Sequence, residues 1–195
     1  VKDGKADAVV SAGNTGALLS ISYIILRTIE GITRPAMTAY FPTKNGETAM
    51  LDLGANIECD SKNLIDFALM GSAFSRIVLK SNNPSVGLLN VGVEAQKGNS
   101  VLQEVASYLS SPDNNINYFG FVEGDGIAEG NIDVIVTDGF SGNIALKTAE
   151  GTSKLVTLLL EKSFKSSIFS KLGYLLAKNG LRKMKDRVNP SKYNG

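Results

Sequence analysis

The sequence contains no histidine. Within these residues that excludes a Ser-His-Asp triad, a Cys-His dyad and the common histidine-based zinc sites. A single cysteine, Cys59, excludes a disulfide framework and matches a reducing cytoplasm. With no histidine to activate it, Cys59 reads as incidental and not as a nucleophile. Net charge is almost absent: 20 Lys and Arg stand against 19 Asp and Glu. There is therefore no global attraction to nucleic acid or membrane, and electrostatic targeting must be local. Long apolar runs are missing too. The longest, residues 17–26, is broken by serines and closed by Arg27, well short of the roughly 20 residues that span a bilayer. The first residues carry Lys2, Asp3, Lys5 and Asp7 and lack the apolar centre of a signal peptide. Neither GxGxxG nor the P-loop pattern occurs, so nothing supports a dinucleotide or ATP site.

What is present is a chain of 195 residues, 43% hydrophobic. That suffices for one large domain, or for a domain with an extension. It opens directly into strand-like Ala8-Val9-Val10 and stops after Tyr193-Asn194-Gly195 in a turn. Both ends read as cuts, so the middle of a longer protein is expected. Strand, glycine-containing loop and helix alternate along it. Strands are expected over 6–10, 38–42, 49–53, 86–90, 117–122 and 133–137, with Asn45-Gly46 turning a hairpin. Helices are expected over 17–28, from Asp60 or Ser61 to 79, over 100–110, over 144–162 and over 167–188, the last stopped by Pro190. The second helix should bury Leu64, Phe67, Ala68, Met70, Phe74 and Ile77. This alternation implies right-handed crossovers and a mixed, mostly parallel sheet.

Three loops that leave strands share a character: Ser11-Ala12-Gly13-Asn14-Thr15-Gly16, Gly54-Ala55-Asn56 and Asp138-Gly139-Phe140-Ser141-Gly142-Asn143. In an open α/β sheet such loops lie on one edge. Glycine turns allow close approach of the backbone to a ligand, and their amides form nests that favour anions. Helices that start there add free N–H groups and a favourable dipole. Any one of these loops alone reads first as an ordinary helix-capping turn; three together on one edge reverse that and point to a phosphate or a developing oxyanion. Asp138 reads either as a turn-former or as a site residue, and Lys147 either as a solvated helix lysine or as a cation reaching back to the loops. Arg34 and Lys97 are further loop cations. Asp52, polar within an apolar strand, is a satisfied core carboxylate or a site residue.

The composition changes near Phe164. From Lys165 to Arg187 there are seven basic residues and one acid, Asp186. Ile168, Leu172, Leu175 and Leu176 fall at i, i+4, i+7 and i+8, a cationic amphipathic helix. It can lie in a membrane interface, or pack on the domain or on a second subunit. The expected division is an α/β core at 1–163 and a basic helical extension at 164–189.

The motifs Val9-Val10-Ser11-Ala12-Gly13-Asn14-Thr15-Gly16-Ala17, Arg34-Pro35-Ala36, Leu51-Asp52-Leu53-Gly54-Ala55-Asn56, Gly87-Leu88-Leu89-Asn90-Val91-Gly92 and Asp138-Gly139-Phe140-Ser141-Gly142-Asn143, followed by Leu146-Lys147 and Glu150-Gly151, resemble one family in order and over essentially the whole chain. It is the bacterial acyl-ACP:phosphate acyltransferase family of phospholipid synthesis, whose members also have segments before and after the part matched here. The sequence departs from the family pattern at Gly126. The resemblance implies a three-layer α/β sandwich similar to phosphate acetyltransferases and isocitrate-dehydrogenase-like enzymes, with a protruding helical hairpin. It implies attack of inorganic phosphate on the thioester of a fatty acyl carrier protein, giving acyl phosphate. It further implies a homodimer, no metal, no organic cofactor, no nucleic-acid partner and a cytoplasmic enzyme peripherally bound to an anionic membrane. On that basis Asp138, Asn143 and Lys147 are expected to be catalytic. Ser11, Asn14, Thr15, Gly16, Asn56, Gly139 and Ser141 are expected to bind phosphate or substrate. Arg34 and Lys97 would contact carrier or anion, and Ile168, Leu172, Leu175 and Leu176 the membrane. A CoA-dependent phosphate acetyl- or butyryltransferase, or a non-catalytic membrane scaffold, are the competing readings.

Overall fold

The computed structural model describes residues 1–187. The expected helix end at Val188 and Pro190, the last two residues of the expected extension and the terminal turn at 193–195 lie outside the described residues. The sheet begins with a hairpin of β1 (Thr38–Thr43) and β2 (Gly46–Leu51), paired antiparallel from Thr38↔Leu51 to Thr43↔Gly46. Its turn is Lys44-Asn45, one residue earlier than expected, because Gly46, at φ 135°, already belongs to the ladder. Helix α2 (Ser61–Phe74) leads to β3 (Ser85–Leu89), and α3 (Ser100–Leu109) leads to β4 (Asn117–Val122). A 3₁₀ turn, Gly126–Glu129, then crosses to β5 (Val134–Val136), and α4 (Gly139–Lys165) and α5 (Ile168–Arg187) follow. The strand order is β1-β2-β5-β3-β4, and every pairing except β1 with β2 is parallel. The carboxyl ends of β2, β3, β4 and β5 therefore share one edge.

The period of two along the strands divides the core. Leu51, Val86, Leu88, Val134 and Val136 meet Leu64 and Phe67 of α2 and Val105 and Leu109 of α3 on one face. Met50 and Ile135 turn to the other, where Ile127, Ile132 and, from α4, Ala145, Leu146 and Ala149 cover them. The fold is thus the expected mixed sheet with helices on both sides. Cap chemistry sets where the helices begin. Asp60 accepts from Asn63 N–H while the Asn63 side chain accepts from Asp60 N–H, a capping box for α2. Asn99 accepts from Leu102 N–H at α3 and Asp138 from Ser141 N–H at α4.

Four expectations need correction. Residues 6–10 form no strand, and Val10 is 97% exposed; strand propensity needs a neighbouring ladder, and this segment has none among the described residues. The first helix, α1 (Thr15–Leu26), starts two residues earlier than expected, inside the 11–16 loop, because Asn14 caps it by accepting from Ala17 N–H. The 138–143 segment is likewise no loop: α4 starts at Gly139. Ile77 is exposed and not buried, because α2 ends in a π turn, Ser75–Leu79, whose wider winding carries Ile77 off the core-facing stripe. Beyond the sheet, α4 runs through the composition change near Phe164 without a break. Helix α5 returns along it, with Phe164 and Tyr174 rings 5.6 Å apart and Arg187 donating to the Thr43 carbonyl at 3.1 Å.

Candidate functional site: the carboxyl edge of the sheet

Asp52 organises this edge. Its carboxylate is fully buried and accepts four hydrogen bonds. They come from Met37 N–H (2.9 Å), Ala55 N–H (3.1 Å), Asn56 N–H (2.6 Å) and the Asn56 side-chain amide (2.8 Å). The same amide also donates to the Pro35 carbonyl at 2.8 Å. Asp52 is thus the satisfied core carboxylate of the two readings left open by the sequence, and it shapes the loop 54–56. A buried carboxylate is tolerated when its acceptor sites are filled in this way.

That loop is fastened to the start of α4. Gly139 N–H donates to the Asn56 carbonyl at 2.7 Å. The approach is possible only because two α4 residues lack a side chain. A Cβ on Gly139 would lie 2.5 Å from the Asn56 carbonyl oxygen, and one on Gly142 would lie 1.9 Å from that of Asp52. Gly54, at φ 126°, faces the Asn143 side chain; a Cβ there would lie 3.6 Å from Asn143 Cγ. Two of the three expected loops are therefore joined, with Asn56, Gly139, Ser141 and Asn143 at one place. Most of the α4 amides, however, are already engaged. Asp138 accepts from Ser141 N–H (2.8 Å) and Ser141 Oγ (2.9 Å), and its carbonyl takes Gly142 N–H at 2.9 Å. Asp138 is thus the N-cap of α4.

The loop with Ser11, Asn14, Thr15 and Gly16 differs. Its hydrogen bonds are local: Gly13 N–H to Ser11 Oγ, Ala17 N–H to Asn14 Oδ1 and Leu18 N–H to the Asn14 carbonyl. The Thr15 and Gly16 amides have no acceptor among the described residues. Helix α1 reaches the other loops through its flank. Leu19, Ser20 and Tyr23 line a cavity of about 250 Å³ together with Arg34, Pro35 and Asn56. The Arg34 guanidinium donates to the Glu58 carbonyl at 3.4 Å, so it stands beside the Asn56 loop as a cation candidate should.

Lys147 does not reach back to the loops. Its ammonium donates to both Glu150 oxygens, at 3.0 and 3.2 Å, in an exposed i,i+3 pair. It lies one turn beyond Asn143 on the same side of α4. Lys97 sits on the loop after β3, where its carbonyl accepts from the Asn90 side chain at 3.1 Å. Cys59 Sγ points to the Asn56 carbonyl at 3.6 Å, and burial, with Asp52 and Asp138 nearby, pushes its thiol up to about 11. A thiol that stays protonated is no nucleophile. Ile168, Leu172, Leu175 and Leu176 are all exposed on α5, Leu176 to 84%. Among the described residues no cluster of metal-ligating side chains occurs, and no helix is long and apolar enough to cross a membrane.

Sequence reasoning missed Asp66. Its side chain is fully buried on α2 and accepts from Thr33 N–H (2.9 Å), Thr33 Oγ1 (2.8 Å) and the Lys62 ammonium. Asn63 donates to Thr33 Oγ1 at 2.9 Å. This network holds the residue next to Arg34. The available signal was an acid inside the apolar run Leu64-Ile65-Asp66-Phe67. Burial opposes ionisation of Asp66, but the hydrogen bonds from Lys62 and Thr33 outweigh it and lower its pKa. A depressed folded-state pKa stabilises the fold above the unfolded value of about 3.9, and that contribution is lost as pH falls through the folded value. Asp66→Asn is expected to cost about 2 kcal/mol at pH 7. In urea titrations the gap to the parent protein should shrink on going to pH 3.

Comparison with known proteins agrees with this architecture. A family model described as fatty acid synthesis protein matches residues 1–195. The phosphate acyltransferase of Rhodospirillum centenum is 56% identical over 195 residues, all of this chain and 55% of that protein. The phosphate acyltransferase of Rhodospirillum rubrum is 50% identical, again over all of this chain and 56% of that protein. The chain thus spans about half the length of the curated relatives it matches. Among solved structures, the EutD phosphotransacetylase from Staphylococcus aureus superposes with a TM-score of 0.58 at 21% identity, over 78% of this chain and 53% of that one. That likeness gives the fold expected from the sequence. The family match runs from the first residue to the last and includes every loop of this edge, so the chain belongs to the fatty acid synthesis protein family.

Proposed function

We propose that this chain is part of an enzyme that moves a fatty acyl group from acyl carrier protein to inorganic phosphate. The observation that carries the reading is the fastening of the Asn56 loop to the first turn of α4, which sets Asn143 over Gly54 at the carboxyl edge of the sheet. Relatives at 50–56% identity bear the name phosphate acyltransferase, which supports the same reading. Hydrogen phosphate is already a nucleophile, so the lack of histidine and of a reactive cysteine is no obstacle. One of its oxygens attacks the thioester carbonyl and forms the acyl C–O bond. The C–S bond then breaks, and the phosphate proton passes to the departing carrier thiolate. The protein must hold a dianion beside a thioester and stabilise the tetrahedral oxyanion. In this reading the free Thr15 and Gly16 amides of α1, with Ser11 and Asn14, receive the phosphate. Asn143 faces the developing oxyanion, and Lys147 joins it by releasing Glu150 when substrate binds. Asp138, Gly139 and Ser141 build the α4 terminus that positions them. Arg34 and Lys97 supply positive charge for an acidic carrier. No metal or organic cofactor enters the scheme. Acyl transfer from carrier protein, and not from CoA, to phosphate by the full-length protein is the test; preference for acyl-CoA would favour a phosphate acetyl- or butyryltransferase.

We also propose that the protein is a homodimer that binds anionic membrane surfaces from the cytoplasm through the 164–189 extension. The support is the exposed apolar row of α5 in a segment that also carries Lys171, Lys178, Arg182, Lys183, Lys185 and Arg187. In a liposome flotation assay, Leu172→Glu with Leu176→Glu is expected to weaken binding to anionic vesicles at least about tenfold. Unchanged binding would assign the row to a protein contact instead.

A further inference from the structure

Beneath α4, on the face of the sheet opposite α2 and α3, lies a half-enclosed cavity of about 560 Å³ that the reaction scheme leaves unused. Its floor is Tyr40, Phe41 and Pro42 of β1, its side is Ile127 of the 3₁₀ turn, and its roof is α4. The room exists because the roof is built of short side chains. Ala145, Ala149 and Thr152 face it, while Leu146 stands at its border with the core. Among the described residues Glu150 is the only charged one on its wall, and it is paired with Lys147. Seven residues of helix, about 10 Å, separate Glu150 from Asn143. A space of this size is within the range that holds a small ligand, roughly 300–1,000 Å³. Most of its wall is methyl, methylene and ring surface; the polar side chains on it are those of Tyr40, Thr148, Glu150, Thr152 and Ser153. A chain of methylenes is the ligand such a wall suits.

We propose that this cavity seats the fatty acyl chain, and that Ala145, Ala149 and Thr152 set the chain length it takes. The inference rests on the acyl-transfer reading. It deepens that reading by separating two parts of α4: the first turn and the row through Asn143 and Lys147 serve the reacting end, and the next two turns serve the hydrocarbon. Each buried methylene is worth a factor of about four in binding, so a side chain that shortens the cavity should discriminate steeply by length.

The test uses the full-length protein with Ala149→Phe and, because Ala149 also touches the core, with the exposed-site variant Thr152→Phe. Phosphate-dependent turnover is measured on octanoyl and palmitoyl carrier protein. Binding of the fluorescent fatty acid cis-parinaric acid is measured in parallel, without turnover. Both variants are expected to lower the ratio of palmitoyl to octanoyl turnover at least about tenfold, and to weaken parinaric acid binding by a similar factor. An unchanged length profile with unchanged probe affinity would overturn the proposal, as would equal loss at both lengths. If the parent protein shows no phosphate-dependent turnover, the acyl-transfer reading fails on its own. The cavity assignment is then decided by the probe: affinity that falls in both variants sustains it, and affinity that ignores them ends it.

Discussion

Gly142→Ala is expected to destabilise the protein by about 3 kcal/mol, the upper end of what overpacking costs. The added methyl carbon would sit 1.9 Å from the Asp52 carbonyl oxygen and 2.7 Å from Thr137 Cγ2. Neither neighbour can yield easily. Thr137 is buried, and the Asp52 backbone is tied to Thr137 by Asp52 N–H to the Thr137 carbonyl at 2.9 Å. Helix α4 must therefore lift, which breaks the Gly139–Asn56 bond and opens the site. Gly151→Ala on the same helix is the control. Nothing lies within 4 Å of its added carbon, so the alanine should add about 0.5–1 kcal/mol through helix propensity. Denaturant midpoints of the two variants should move in opposite directions.

Asn143→Ala is expected to lower phosphate-dependent turnover at least about 10²-fold, the scale of losing one oxyanion donor. Asn143 is exposed, so its thermal midpoint should stay within a degree or two, which separates this loss from that of Gly142→Ala. Lys147→Ala should lose a comparable factor if its ammonium leaves Glu150 for the oxyanion when substrate binds. Parent-like rates in both variants would remove them from the reaction.

Most of the fold was legible because its elements keep clean periods. Val134, Ile135 and Val136 are all buried, and Leu64, Phe67 and Ala68 recur at helical spacing. The failures have physical causes. The segment Gly139-Phe140-Ser141-Gly142-Asn143 has poor helix propensity, yet it is helical because its two glycines let α4 rest on the loop beneath. Residues 6–10 have strand propensity and, among the described residues, no ladder to join. In the site, residue types located the edge but not the bonding. The four donors around Asp52 come from Met37, Ala55 and Asn56, and only the fold brings Met37 to it. Lys147 was open in the sequence between a solvated helix lysine and a cation reaching back to the loops; its pair with Glu150 at i,i+3 is what the structure adds. Asp66 was not legible as a site support because its partner Thr33 lies 33 residues away and only the fold brings the two together.

In the proposed reaction this edge joins phosphate to a carrier-bound acyl group. Release of carrier thiol from palmitoyl carrier protein by the full-length protein, followed as phosphate is raised from zero, tests it most directly. No release is expected without phosphate, with a saturable rise as phosphate is added and one acyl phosphate formed per thiol. Thiol release at the same rate without phosphate would contradict it.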